Sequence, residues 1–414
     1  MIGSAESERT GLRLARTDVY EEALRIHELY RGKLEVRSLL RVDSPRNLTL
    51  AYTPGVARPC QVIGEDPAAA WNLTMKGRTV AVVSDGSAIL GLGDLGPEAS
   101  LPVMEGKAVL FKEFGGIDAV PVVLDAEDPG DIVDTIRRIA PTFGGINLED
   151  ISAPRCFEIE EQLQDLGIPV LHDDQHGTAI VCLAAIQNAL KVVGKSMASS
   201  RIVISGAGAA GRAIARLLSC VDTSDRCIPV GELLVCDSRG IIGPDREGLD
   251  PVKTEMLEHT NRGRISGTLA DAVREADVFI GVSRAGVLSQ DHVRSMAKDA
   301  IVLAMANPEP EILPDEALAA GAAVVGTGRS DFPNQVNNVL AFPGLFRGAL
   351  EVGATRFTSG MKFAAIDAIA NCVEGPSPTR ILPPAFDRSV AFSVGRAVAE
   401  AAQRDGVARI PLTA

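Results

Sequence analysis

Positive charge is in short supply in this sequence. Its 41 lysines and arginines face 54 aspartates and glutamates, for a formal net charge of −13; nucleic acids and anionic membranes are bound through basic faces, which this balance disfavours. Any anionic ligand must find positive charge supplied locally. No apolar run of membrane-spanning length continues without charged or loop residues. The first eighteen residues mix Glu6, Glu8, Arg9, Arg13 and Arg16 without an apolar stretch. A cytoplasmic location is therefore expected, with neither nucleic acid nor membrane as partner. Cysteine offers no framework: Cys60, Cys156, Cys182, Cys220, Cys227, Cys236 and Cys372 are odd in number and include no C-x-x-C pair, so reduced structural thiols are expected. Repeats and low-complexity tracts are absent. What is present, 46% hydrophobic and 23% charged over 414 residues, suits a soluble globular protein with room for two cored domains.

Four short apolar runs occupy the first half, at residues 79–84, 119–124, 144–148 and 168–171. Helical signals lie between them: Pro102 opens a stretch containing Lys107, Asp128 and Pro129 cap and begin another, and Ser152 and Pro154 start a third. The alternation predicts a parallel α/β layer. Each run leads into acid, namely Asp85, Asp125, Glu149 with Asp150, and Asp173 with Asp174. Ligands of such sheets gather beyond the carboxyl ends of the strands. Carboxylates crowded there repel one another unless a hard divalent cation such as Mg²⁺ or Mn²⁺ holds them together. Glu149, Asp150 and Asp174 are thus candidate metal ligands, the plainer alternative being helix-capping acids. His172 and His176 stand four apart, but no glutamate lies between them as a zinc-protease helix would require.

A long alanine-rich helix predicted from about residue 178 to 193 leads into a second unit, so the chain divides into residues 1–180 and 181–414. The second unit opens with an apolar run at 201–205, the string Gly206–Ala207–Gly208–Ala209–Ala210–Gly211, and a helical stretch from Arg212. Strand, glycine loop and helix in that order are the context of a dinucleotide site, where the pyrophosphate rests on the helix N-terminus. Asp237 ends the next strand, where an acid can bind adenosine ribose hydroxyls, and Arg239 beside it could receive a 2′-phosphate. Runs at 277–280, 300–303 and 322–325 complete a doubly wound, Rossmann-type sheet. A second string, Gly91 to Gly96, matches the same glycine pattern. Pro97 and Pro102 follow it, so no helix is expected to open directly from its last glycine, and it reads as a tight loop beside the Lys107 helix.

A hard metal, a nicotinamide and two proton-moving groups, Tyr52 and Lys107, describe metal-assisted oxidation of a hydroxy acid. A second carboxylate β to the new carbonyl would leave as CO₂. Taken alone, Tyr52 is as well explained by packing in a turn, and Lys107 by a solvated helix face.

The stretches Tyr52–Thr53–Pro54–Gly55–Val56–Ala57, Gly91 to Gly96, Glu105–Gly106–Lys107, Asn147–Leu148–Glu149–Asp150, Asp173 to Ala179 and Asn337–Asn338–Val339 resemble, in order, the successive motifs of the malic enzyme family. The resemblance runs from about residue 25 to 390. It implies conversion of malate to pyruvate and CO₂ with reduction of NAD or NADP. A malolactic-type lyase without net redox is the alternative. Position by position, it implies that Lys107, partnered by Asp173, takes the malate hydroxyl proton. Tyr52 helps protonate the enolpyruvate carbon. Glu149, Asp150 and Asp174 bind Mg²⁺ or Mn²⁺, and Asn307 and Asn338 contact substrate or nicotinamide. The larger eukaryote-type members carry an arginine where this chain has Ser87 and Ala88, so the resemblance is to the smaller bacterial type. The group facing the malate C1 carboxylate is then open, with main-chain N–H groups of the glycine loop or Lys112 as substitutes. No phosphotransacetylase-like extension is expected, and the family implies a dimer or a higher even assembly.

Overall fold

The computed structural model describes residues 19–89, 92–221 and 227–412. Residues 1–18, Leu90 and Gly91, the last being the first glycine of the second string, lie outside the described residues. The first sheet comprises β1 (Thr79–Ser84), β2 (Asp118–Val123), β3 (Gly145–Leu148) and β4 (Val170–His172), in the order β2-β1-β3-β4 and all parallel. Every residue of β1 is buried, as expected of a central parallel strand covered on both faces. The register pairs Val83 with Leu148 and Leu148 with His172, so the residues that follow these three strands emerge at one edge.

The second sheet comprises β5 (Arg201–Ser205), β6 (Glu232–Asp237), β7 (Gly240–Ile241), β8 (Val278–Gly281), β9 (Ile301–Ala304) and β10 (Val324–Thr327), in the order β10-β9-β8-β5-β6-β7. Only β7 is antiparallel, pairing Asp237 with Gly240 across a two-residue turn. Two residues are too few for a sequence periodicity to announce this strand. Strand order reverses at β5, which lies between β6 and β8; a ligand crevice forms at such a point.

Helix boundaries differ from expectation in two places that matter. The Lys107 helix runs Pro97–Leu110 with Gly96 as its N-cap. It opens directly from the glycine string after all, because a proline at the first helical position lacks only an N–H that would have no partner there anyway. Pro102, expected to open this helix, lies inside it. The alanine-rich helix runs Asp173–Val193, several residues earlier than expected and unbroken across residue 180. Acids in a first turn face the positive end of the helix dipole, so Asp173 and Asp174 begin this helix rather than precede it. By length and apolarity alone this helix could cross a membrane, but most of it is buried inside the protein.

One apolar core runs through both units. It joins Val80 and Val82 of β1 to Ile202 and Ile204 of β5 and to the helices Phe342–Glu351, Ser359–Asn371 and Arg388–Arg404. Phe111, Phe342, Phe346 and Phe357 form a chain of edge and tilted ring contacts, with centroids 4.7 to 5.4 Å apart. This core fixes the helix carrying Phe342 against the one carrying Lys107.

The cysteines depart from expectation: Cys220 and Cys227 form a disulfide. They lie between the helix Ala209–Leu218 and β6, with Cα atoms 5.7 Å apart. A seven-residue separation is not a motif spacing, so nothing in the sequence marked the pair. The other five cysteines are free. Burial pushes the Cys156 and Cys236 thiols up to about 12.

Candidate active site

Lys107 sits at the center of the site. Its side chain is 7% exposed, and its Nζ lies 2.6 Å from Asp173 Oδ2, 2.7 Å from Glu149 Oε1 and 4.4 Å from the centroid of the Phe342 ring. Glu149 follows β3 and is steadied by Asn147 on the same face of the strand, whose Nδ2 donates to Oε2 at 2.9 Å. Asp150 adopts a left-handed backbone, φ 53°. Its N–H donates to Asp174 Oδ2 at 2.9 Å, and its carbonyl accepts from Ala88. A non-glycine residue in that region costs on the order of 1 kcal/mol, and here it brings the carboxylates of consecutive residues to the same pocket. Oxygens of Glu149, Asp150 and Asp174 lie within 4.8 Å of one another.

Asp173 is fully buried and is the hub of the polar contacts. Its Oδ2 accepts from Lys107 and, at 2.5 Å, from Nδ2 of Asn338, which begins the short helical turn Asn338–Leu340. Oδ1 makes no hydrogen bond with the described residues and packs over Gly177, where a Cβ would stand 1.8 Å away. The glycine of the Asp173 to Ala179 motif thereby has a physical reason: no side chain fits beneath the carboxylate.

Burial works to lower the Lys107 pKa, but Asp173, Glu149 and Asp174 reverse the effect and leave it raised. Burial also drives Glu149 well above its ordinary value; Lys107 opposes this, while Asp174, Asp173 and Asp150 add to it. Burial alone therefore does not free the Lys107 proton: Asp173, Glu149 and Asp174 outnumber the one ammonium and hold it. The same imbalance tests the metal assignment: an all-oxygen donor set with excess negative charge suits a hard divalent cation. Glu149, Asp150 and Asp174 would hold it.

The two histidines do not converge on a metal. His172 is buried and neither ring nitrogen has a hydrogen bond with the described residues, whereas His176 lies 3.0 Å from Glu160 and places Nδ1 3.0 Å from Lys362 Nζ. The half-buried group of Glu160, His176 and Lys362 was not recognised from the sequence, since no two of its members lie near enough in the chain to form a motif. Lys112 is paired with Asp118 on the surface and does not serve the site. Tyr52 is not brought to Lys107: it caps the helix Pro45–Ala51, is 70% exposed, and its hydroxyl makes no hydrogen bond with the described residues.

The glycine loop of the second unit is shaped as its residues require. Gly206 has φ 121°, and a Cβ there would meet the Val282 carbonyl at 2.4 Å; one on Gly211 would meet the Gly206 carbonyl at 1.9 Å. Gly208 caps the helix that begins with Ala209 and Ala210, and the space over it is open. These residues fit a pyrophosphate approaching along the backbone. Beside them a cavity of about 750 Å³ extends past Asp237 and Arg239. Asn307 is exposed just beyond the end of β9.

Residues 31–130 and 126–164 match the sequence family described as "Malic enzyme, N-terminal domain", and residues 175–403 match "Malic enzyme, NAD binding domain". The chain belongs to the malic enzyme family. It is 56% identical to the "Bifunctional malic/malolactic enzyme" of Bacillus subtilis, covering 94% of each chain. It is 51% identical to the "NAD-dependent malic enzyme" of Geobacillus stearothermophilus, covering 91% of this chain and 78% of that one. It is 49% identical to the "NADP-dependent malic enzyme" of Halomonas elongata, covering 92% and 93%. Among solved structures, the malic enzyme of Pyrococcus horikoshii superposes with a TM-score of 0.89 at 47% identity, covering 95% and 93%. The mixed α/β fold with its Rossmann-type second sheet is that of this family.

Proposed function

We propose that the chain oxidatively decarboxylates malate to pyruvate and CO₂ with reduction of NAD or NADP, using Mg²⁺ or Mn²⁺ at Glu149, Asp150 and Asp174. The observation that carries this reading is the buried lysine. Lys107 touches both Asp173 and one candidate metal ligand, Glu149, at the carboxyl edge of the first sheet, and Asn338 of the second unit reaches the same aspartate. When bound, the cation supplies the electron sink for decarboxylation and the nicotinamide the hydride acceptor. Lys107 takes the proton of the malate hydroxyl. Its basicity is set by the two carboxylates it touches, so neutralising the charge of Glu149 is what turns a held ammonium into a usable base. Asp173 orients the lysine, and Asn338 and Asn307 position substrate and nicotinamide.

The active assembly in this reading is a homodimer or a larger even assembly. The described residues before 57 expose Leu29, Tyr30, Val36, Leu39, Leu40 and Tyr52 to at least 60% each, a concentration of exposed apolar side chains in one segment of the kind that marks an interaction surface. A second copy of the chain covers it, and Tyr52 supplies its proton to the neighbouring subunit's site.

The test is an assay of the purified protein with malate, Mn²⁺ and either coenzyme. Reduced nicotinamide and pyruvate should accumulate one for one, and only with the cation present. Lactate and CO₂ without reduced coenzyme would replace this reading with the malolactic one, and no turnover of malate would sink both.

A further inference from the structure

Asp237 ends β6, where a dinucleotide fold usually places the acceptor for the adenosine ribose hydroxyls. Its carboxylate is already engaged. Arg246 grips it with both terminal nitrogens, Nη1 to Oδ1 at 2.9 Å and Nη2 to Oδ2 at 2.8 Å. The N–H of Arg239 donates to Oδ1 at 2.8 Å, and Lys253 Nζ lies 3.3 Å from Oδ2. The Asp237 side chain is only 11% exposed. Arg246 is itself anchored by the carbonyls of Gly240 and Ile241, so the fork is built into the β6–β7 hairpin. Burial opposes ionisation of Asp237, yet these donors hold it down to about 2.

The wall of the adjoining cavity carries one carboxylate, that of Asp237, and two guanidinium groups, Arg239 and Arg284. Both arginine side chains are exposed, and neither makes an ion pair with the described residues. Asp271, behind Thr268, is occupied in capping that residue. With Asp237 neutralised by Arg246 and Lys253, the cavity presents net positive charge. A ribose hydroxyl gains nothing from that charge, whereas a phosphate dianion gains charge-assisted bonds.

We propose that this site selects a 2′-phosphorylated coenzyme: Arg246 and Lys253 withdraw Asp237 as a ribose acceptor, and Arg239 receives the phosphate. The inference rests on the reading of the β5 crevice as a dinucleotide site, and it deepens that reading by naming which coenzyme is taken.

The test measures binding rather than turnover, by titrating the whole protein with NADPH and with NADH and following nicotinamide fluorescence without malate. NADPH should bind about tenfold or more tightly than NADH, the scale of one charge-assisted contact, and the advantage should shrink as salt is raised. Arg239→Gln should cut the NADPH-to-NADH affinity ratio about tenfold, and Arg246→Gln, which frees Asp237, should move the ratio the same way. An NADH affinity equal to or above that of NADPH overturns the proposal, as does an Arg239→Gln ratio within about twofold of the parent. Should Arg246→Gln fail to fold, the parent protein and the exposed Arg239 variant still decide. Binding of neither nucleotide overturns both this proposal and the crevice assignment. Preferential NADPH binding without malate oxidation would leave the proposal standing and remove only the function proposed above.

Discussion

Asp173 Oδ1 occupies the space directly above Gly177, 1.8 Å from where a Cβ on that residue would stand. The aspartate that holds Lys107 and Asn338 can keep its place only because the residue one turn later has no side chain.

Gly177→Ala should therefore behave as an active-site variant. The new methyl must push the Asp173 carboxylate aside or shift the helix, at a cost of about 1–3 kcal/mol for overpacking a tight site. A displaced Asp173 loosens Lys107, and kcat for malate should fall on the order of a hundredfold, the scale of a small misplacement of a catalytic group. NADPH affinity, set in the other unit, should change little. Unaltered kcat in a folded Gly177→Ala protein would show that Asp173 does not position the lysine.

Removing Lys107 separates chemistry from binding more cleanly. Lys107→Ala should abolish malate oxidation to below about one part in a thousand, as expected when a general base is lost together with its place in the site. Coenzyme affinity should stay within about twofold. An equal loss of both would contradict the division of labour between the two sheets.

Metal binding should be linked to pH through Glu149. Its folded-state pKa is raised, by burial first and by the neighbouring acids next, so the folded protein keeps a proton that the unfolded chain has lost. The stability this contributes is fully present below the unfolded value of 4.5 and is lost as pH rises through the folded-state value. A cation must displace that proton. The gain in melting temperature on adding Mn²⁺ should accordingly be larger at about pH 8 than at about pH 6. Asp174→Asn should weaken Mn²⁺ binding by at least about tenfold. A thermal shift independent of pH, or an Asp174→Asn protein with an unchanged Mn²⁺ titration, would count against the acidic trio as the metal site.

Much of this arrangement was legible before the fold was known, and the reason is local. Strands such as residues 79–84 and 201–205 are runs of β-branched residues closed by a polar residue or glycine, and parallel pairing brings their ends to one edge regardless of distance along the chain. Gly206 and Gly211 announce themselves because only glycine fits their contacts, whereas a Cβ on Gly208 would meet open space. What stayed hidden depends on neighbours that spacing does not reveal. Arg246 is only nine residues from Asp237, yet only the β6–β7 hairpin shows that it turns back onto the carboxylate. Pro97 looked like a break and is a helix start, and Cys220 is bonded to Cys227 at a separation that no motif marks. The protonation of Lys107 depends on Asp173, Glu149 and Asp174 together, and that sum is a property of the folded site.

Tyr52 provides a test of how that site is completed. It is exposed, on a segment whose apolar side chains face solvent, while Lys107 is sealed among Asp173, Glu149 and Phe342. If each tyrosine serves the neighbouring subunit, a mixture of Tyr52→Phe and Lys107→Ala subunits can reassemble into dimers with one doubly altered site and one intact site. Such mixtures should regain up to about a quarter of the parent activity when the two variants exchange freely in equal amounts, since half of the dimers are mixed and half of their sites are whole. If tyrosine and lysine act within one subunit, every site in the mixture carries one defect and nothing is regained. Mixing after brief dissociation, with size-exclusion chromatography to verify reassembly, distinguishes the two outcomes. Recovery requires the exposed segment to lie at the subunit contact, because a tyrosine cannot reach across an interface that its own helix does not join.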